Sequence, residues 1–157
     1  MGEHGRRARW RASRVAVAVV LALGGALAAA GVATAEPEPV PGTPCTVDAV
    51  ACVDLAGKQA WLITDGAVSH GPVPISPGGP GHETPVGDFT VEWKNANHHS
   101  TEFDGAPMPF AVFFAEGGIA FHEGRLDGPS AGCVRLGHED ASLFYDVLQI
   151  GDPVQVR

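Results

Sequence analysis

A mainly β domain, a sandwich or an irregular barrel with one short C-terminal helix, is the fold class this sequence predicts. Three observations predict it. Short stretches alternate apolar and polar residues with a period of two, as "GDFTVEWK" (87–94) does. These stretches are punctuated by turn formers, with 21 Gly and 13 Pro in 157 residues. Helical periodicity is convincing in one place only, after His138.

The elements follow in order. Arg6, Arg7, Arg9, Arg11 and Arg14 precede an apolar run from Val15 to Val32 that ends at Ala33-Thr34-Ala35. A basic start, an apolar middle and a small-residue exit make residues 1–35 a secretory signal peptide. Left uncut, the run is just long enough to serve as an N-terminal anchor, although Gly24, Gly25 and Gly31 favour cleavage. Either way the remainder lies outside the cytoplasm. Taking away the first 35 of 157 residues leaves 122, room for one domain. Five of the ten basic residues and one of the eighteen acidic ones lie in the signal, so five positive charges face seventeen negative, a net of −12. Such an acidic surface argues against nucleic acid and anionic lipid as partners, and with the signal cleaved no stable membrane contact is expected.

Residues 36–44, "EPEPVPGTP", read as an extended, mobile linker, which places the start of the folded domain (45–157) at Cys45. "CVDLAGKQAWLIT" (52–64) reads as two strands around the turn Ala56-Gly57-Lys58. Asp65-Gly66 then makes a hairpin turn into "AVSHGPVPIS" (67–76). In "GDFTVEWK" Phe89, Val91 and Trp93 share one face, expected to be core. "MPFAVFFA" (108–115) has aromatic residues on both faces and reads as a strand covered on both sides. "GIAFH" (118–122) sets Ile119 and Phe121 against Ala120 and His122. The helix carries Glu139 and Asp140 in its first turn, Leu143, Phe144, Val147 and Leu148 on its apolar face, and stops at Gly151. "PVQVR" closes the chain as a strand.

An oxidising compartment pairs two of the cysteines Cys45, Cys52 and Cys133 and leaves one. Cys45 and Cys52, with six residues between them, are expected to form a staple; the alternative joins Cys133 to either of them. An unpaired extracellular thiol needs a reason to persist, and His122 supplies one. It ends a strand, and Cys133 follows eleven residues later beyond a loop rich in Gly and Pro. A free thiol has a pKa of about 8.5, so little of it is thiolate at neutral pH. An imidazole within reach can take the proton, pair with the thiolate and later protonate a leaving amine. Gly132 lets the backbone turn tightly, so N–H groups around Cys133, between Gly132 and Val134, can face a developing oxyanion. On the residues alone, a buried structural cysteine and a structural histidine are the more common reading of such a pair.

The stretches "HETPVGDFTV", "MPFAVFF", "GIAFHEG", "PSAGCVRL" and "GDPVQV" resemble the YkuD-type L,D-transpeptidase catalytic domain in its short secreted actinobacterial form. The likeness runs from about Cys45 to Arg157. It is anchored on Thr84, Pro85, Gly87 and Phe89 and on the signature His122, Ser130, Gly132, Cys133, Val134 and Arg135. The resemblance implies a YkuD-like β-sandwich or barrel that works without cofactor. It implies Cys133 as nucleophile and His122 as general base, oriented by a backbone carbonyl such as that of Glu123. The substrate it implies is the tetrapeptide stem of peptidoglycan, which loses D-alanine through a thioester. An amine acceptor makes the enzyme an L,D-transpeptidase and water makes it an L,D-carboxypeptidase; a silent wall-binding module of the same fold is the third reading. Arg135 either binds a stem carboxylate or braces its loop, and Ser130 either contacts substrate, orders the loop through its hydroxyl, or begins a turn. Ala131 stands where many relatives carry histidine, and the stretch between His122 and Cys133 is short compared with some relatives.

No metal is expected. His98 and His99 read as part of a polar loop, His82 as a surface turn, His70 as a strand end near the site, and His138 as the helix start; no ligand spacing links them. Trp61 and Trp93 read as core residues.

Overall fold

The computed structural model describes residues 37–157; the expected signal peptide lies outside the described residues. Within them run the strands β1 (Ala51–Asp54), β2 (Gln59–Thr64), β3 (Ala67–Pro74), β4 (Gly87–Thr90), β5 (Trp93–His99), β6 (Pro107–Ala115), β7 (Ile119–Glu123), β8 (Val134–Leu136) and β9 (Pro153–Val156). One helix, α1 (His138–Val147), separates β8 from β9. The strands form two sheets, ordered β3-β2-β1-β9-β4 and β5-β6-β7-β8.

Period-two alternation explains the core. Ala51, Val53, Leu62, Val154 and Val156 of the first sheet face Val112, Phe114, Phe121, Val134 and Leu136 of the second, and α1 adds Ala141 and Phe144. Phe121 is the hub, its ring 4.8 Å from that of Phe114 and 5.3 Å from that of Phe144. Each such side chain contributes roughly 1.5–3 kcal/mol through burial. A satellite cluster holds Val40, Cys45, Ala49, Cys52, Trp61 and Ile63.

Several expectations are corrected. "GDFTVEWK" is not one strand but two, because the chain changes sheets: the Val91 N–H donates to Asp152 O, and the Glu92 N–H donates to Phe113 O across the gap. Trp93 is consequently not core. It is 41% exposed and stacks on Phe113 at 3.8 Å. His98 and His99 are not in a loop but end β5, paired with Met108 and Pro107. Folded structure also begins before Cys45: Val40 is buried, its N–H donates to Cys45 O, and Pro39 bridges to Thr46. A single apolar side chain docked on the first sheet orders a stretch whose composition reads as linker. On α1, Ala141 and Phe144 are the buried residues, whereas Val147 is exposed and Leu148 already lies past the helix end.

Candidate active site

The site occupies the face of the second sheet that points away from the core. β7 and β8 run parallel, with Phe121 opposite Val134 and His122 opposite Arg135. Phe121 and Val134 therefore point into the core. His122, Arg135 and Cys133, two residues before Arg135, point outward and line a cleft of about 970 Å³. Apolar walls come from Met108, Phe113 and Ile119. Residues 124–133 return the chain from the end of β7 to the start of β8, which brings residues eleven apart in sequence side by side.

His122 is buried at 7% exposure, and its Nδ1 lies 2.7 Å from its acceptor, Glu123 O. A ring that donates from Nδ1 leaves Nε2 as a proton acceptor. Burial, foremost, pushes the His122 pKa below its ordinary value, partly opposed by the Glu123 carbonyl; the Arg135 charge adds to the lowering. Cys133 is free and half-buried. Burial raises its pKa, partly offset by the Ala120 backbone and Arg135. The thiol donates to Gly118 O at 3.6 Å and makes no hydrogen bond to the imidazole. Both shifts favour a neutral thiol beside a neutral imidazole over the ion pair that the sequence suggests for the resting state.

The turn before Cys133 is tightly held. Gly132 has φ +117°, which strains any residue with a Cβ, and a Cβ there would meet Ile119 Cδ1 at 2.6 Å, so the Ile119 side chain would have to move. The Ser130 hydroxyl accepts from the Gly132 N–H at 3.1 Å and donates to Cys133 O at 2.5 Å. That hydroxyl orders the loop. Arg135 donates from Nη2 to Ser76 Oγ at 3.3 Å and to Gly128 O, bracing the 124–133 loop, while its buried Nε has no partner. Val134 is fully buried and anchors the start of β8.

Thr84 was marked by the sequence as a motif residue without a task. It is 3% exposed, accepts from the Gly78 N–H at 2.9 Å and donates to Gly132 O at 2.8 Å. His98 also lines the cleft, edge-on to Phe113 at 5.0 Å. Exposure alternates along β5 with a period of two, but "WKNANHH" is almost wholly polar and carries no such alternation for the sequence to show. His70, by contrast, is not at the cleft: its Nε2 lies 2.9 Å from Asp140 on α1. His138 starts α1 and pairs with the Glu123 carboxylate at 2.9 Å. Among the described residues no three potential ligands cluster as a metal site. Cys45 and Cys52 form a disulfide in the satellite cluster.

The family model for YkuD, the L,D-transpeptidase catalytic domain, matches residues 48–156. A curated relative, the probable L,D-transpeptidase 3 of Mycobacterium tuberculosis (strain ATCC 25618 / H37Rv), is 31% identical over 105 residues, covering 55% of this chain and 39% of its own length. A crystal structure of an L,D-transpeptidase from Stackebrandtia nassauensis superimposes with a TM-score of 0.64 at 28% identity, over 68% of this chain and 54% of that one. L,D-transpeptidase 3 from Mycobacterium tuberculosis in complex with a faropenem-derived adduct gives a TM-score of 0.61 at 25% identity, over 68% and 59%. The chain thus spans between two-fifths and three-fifths of the length of these relatives. A match that runs from the first strand to the last, across both sheets and the thiol-bearing cleft, shows that the chain belongs to the YkuD L,D-transpeptidase catalytic domain family.

Proposed function

We propose that this protein is a peptidoglycan L,D-transpeptidase acting outside the cytoplasm, with Cys133 as nucleophile and His122 as general base. The observation that carries the proposal is a free thiol and a buried imidazole on the outer side of the β7–β8 sheet, lining one cleft. Family membership supports the substrate class, and the basic, apolar N-terminal sequence supports export.

Cys133 Sγ attacks the carbonyl carbon of the stem's penultimate residue while its proton passes to His122 Nε2. The C–S bond forms as the C–N bond to D-alanine breaks, and the leaving amine takes the proton from His122. An acceptor amine then attacks the thioester, gives a proton to the imidazole, and the thiol is restored. A thioester conserves the bond energy, so no nucleotide is consumed.

Incubation with a tetrapeptide stem and a D-amino acid acceptor tests the reading. Exchange of the terminal residue is expected. Tripeptide without exchange assigns an L,D-carboxypeptidase instead, and no turnover with a free thiol would leave a wall-binding module.

A further inference from the structure

The peptide groups around Cys133 are almost completely tied down. Gly132 N–H and Cys133 O are both held by the Ser130 hydroxyl, and Gly132 O is held by Thr84 Oγ1 at 2.8 Å. The remaining group, the Cys133 N–H, has no partner among the described residues. Buried or half-buried N–H groups are rarely left unpaired in a native fold, and one beside a nucleophile points to a ligand oxygen.

Thr84 decides where that N–H points. In a planar trans peptide the C=O and N–H of one unit face opposite ways. Fixing Gly132 O on Thr84 therefore turns the Cys133 N–H to the other side of the peptide plane, away from the 78–84 loop. The hydroxyl has one hydrogen, and because the Gly78 N–H already occupies its acceptor side at 2.9 Å, that hydrogen is committed to Gly132. The two loops touch here: a Cβ at Gly78 would sit 2.9 Å from Gly132 Cα. Gly132, at φ +117°, has no backbone preference strong enough to hold the peptide plane unaided.

We propose that Thr84 is a positioning residue for catalysis, which aims the Cys133 N–H at the oxyanion by anchoring Gly132 O from behind. The proposal rests on the reading of Cys133 as nucleophile. Thr84 touches neither substrate nor thiol; it acts through one peptide plane. This gives the threonine of the Thr84-Pro85-x-Gly87-x-Phe89 stretch a mechanical task.

Two reactions of the same thiol separate this role from general support of the fold. Acylation by faropenem passes through a tetrahedral oxyanion, whereas alkylation by iodoacetamide is a displacement at a saturated carbon and forms none. Thr84→Val keeps the shape and removes the hydrogen bonds. Acylation should slow about 10–100-fold, less than the ~10²–10³ lost when an oxyanion donor is removed outright, while alkylation stays within about 2-fold at pH 7 and 8. Thr84→Ser keeps the hydroxyl and should restore acylation to within about 3-fold of wild type. If Thr84→Val does not fold, Thr84→Ala is read by the same ratio of rates. Equal loss of both rates, unchanged acylation in Thr84→Val, or a Thr84→Ser variant as slow as Thr84→Val each overturns the proposal. Wild-type protein that alkylates but never acylates sinks the nucleophile assignment itself, a different failure.

Discussion

His122 Nδ1 lies 2.7 Å from the carbonyl oxygen of its own neighbour, Glu123, so the orientation of the base is set by one residue of backbone and not by a carboxylate. A carbonyl orients the ring and selects the tautomer, but it stabilises the imidazolium less than a carboxylate does. Burial then dominates, and His122 titrates below its ordinary value of about 6.5 while Cys133 titrates above about 8.5.

These directions fix a pH profile. Faropenem acylation needs neutral His122, so it should hold level through neutral pH and fall only as the pH drops beneath about 6.5. Iodoacetamide alkylation follows the thiolate, and its rate should keep rising past about pH 8.5. An alkylation plateau already reached near pH 6 would mean a resting thiolate–imidazolium pair and contradict the neutral pair. Linkage runs the same way. The lowered His122 pKa contributes stability that is present above about 6.5 and lost as the pH falls; the raised Cys133 pKa contributes stability that is present below about 8.5 and lost as the pH rises.

Replacing Cys133 by Ala should abolish acylation and turnover while leaving the fold intact. The thiol is half-buried at the rim of the small cluster of Met108, Ala111, Phe113 and Ala120, and its hydrogen bond to Gly118 O is long and weak. Intact-mass spectrometry should find no faropenem adduct, with the melting temperature near wild type. An adduct on this variant would move the nucleophile elsewhere.

Gly132→Ala should fail for two separable reasons. The added methyl meets Ile119 Cδ1 at 2.6 Å, and φ +117° is strained for any residue with a Cβ, at a cost of about 1–3 kcal/mol. Ile119→Ala in the same chain removes the contact but not the strain. Thermal melting should therefore show partial recovery in the double variant. Full recovery of both stability and acylation would show that the contact alone had mattered.

Strands with a regular period and sharp turns, β1 through β3, β6, β7 and β9, could be read from the sequence, as could the disulfide partners. What escaped was set by tertiary structure. The break between Val91 and Glu92 leaves the alternation intact, because a chain that crosses between sheets keeps its period while changing the surface each face meets. β8 is three residues long and exists because β7 on one side, and Ser76, bridged to Arg135, on the other, complete its hydrogen bonds. That His122 and Cys133 belong to one site was legible only through the signature that carries the resemblance, since a histidine and a cysteine eleven residues apart are by themselves a weak signal. Thr84 was not, since a threonine in a turn says nothing about a partner 48 residues away. Trp93 illustrates the reverse error: its alternation was right, but its face of β5 turns toward solvent, where it stacks on Phe113.

The Cys45–Cys52 disulfide should matter for stability and not for chemistry. It closes a short loop, and in the chain-entropy account a cross-link of this span stabilises by about 2–3 kcal/mol. Its sulfurs pack with Val40, Trp61 and Ile63 beside the first sheet, and neither cysteine lines the cleft. The unreduced protein should therefore titrate one thiol and the reduced, unfolded protein three. A Cys45→Ser/Cys52→Ser variant should melt several degrees lower, yet below its melting temperature it should form the faropenem adduct at close to the wild-type rate. Loss of the adduct in a folded variant would tie the staple to the catalytic loop. A native protein with no titratable thiol would place Cys133 in a disulfide and remove the nucleophile on which the proposed reaction depends.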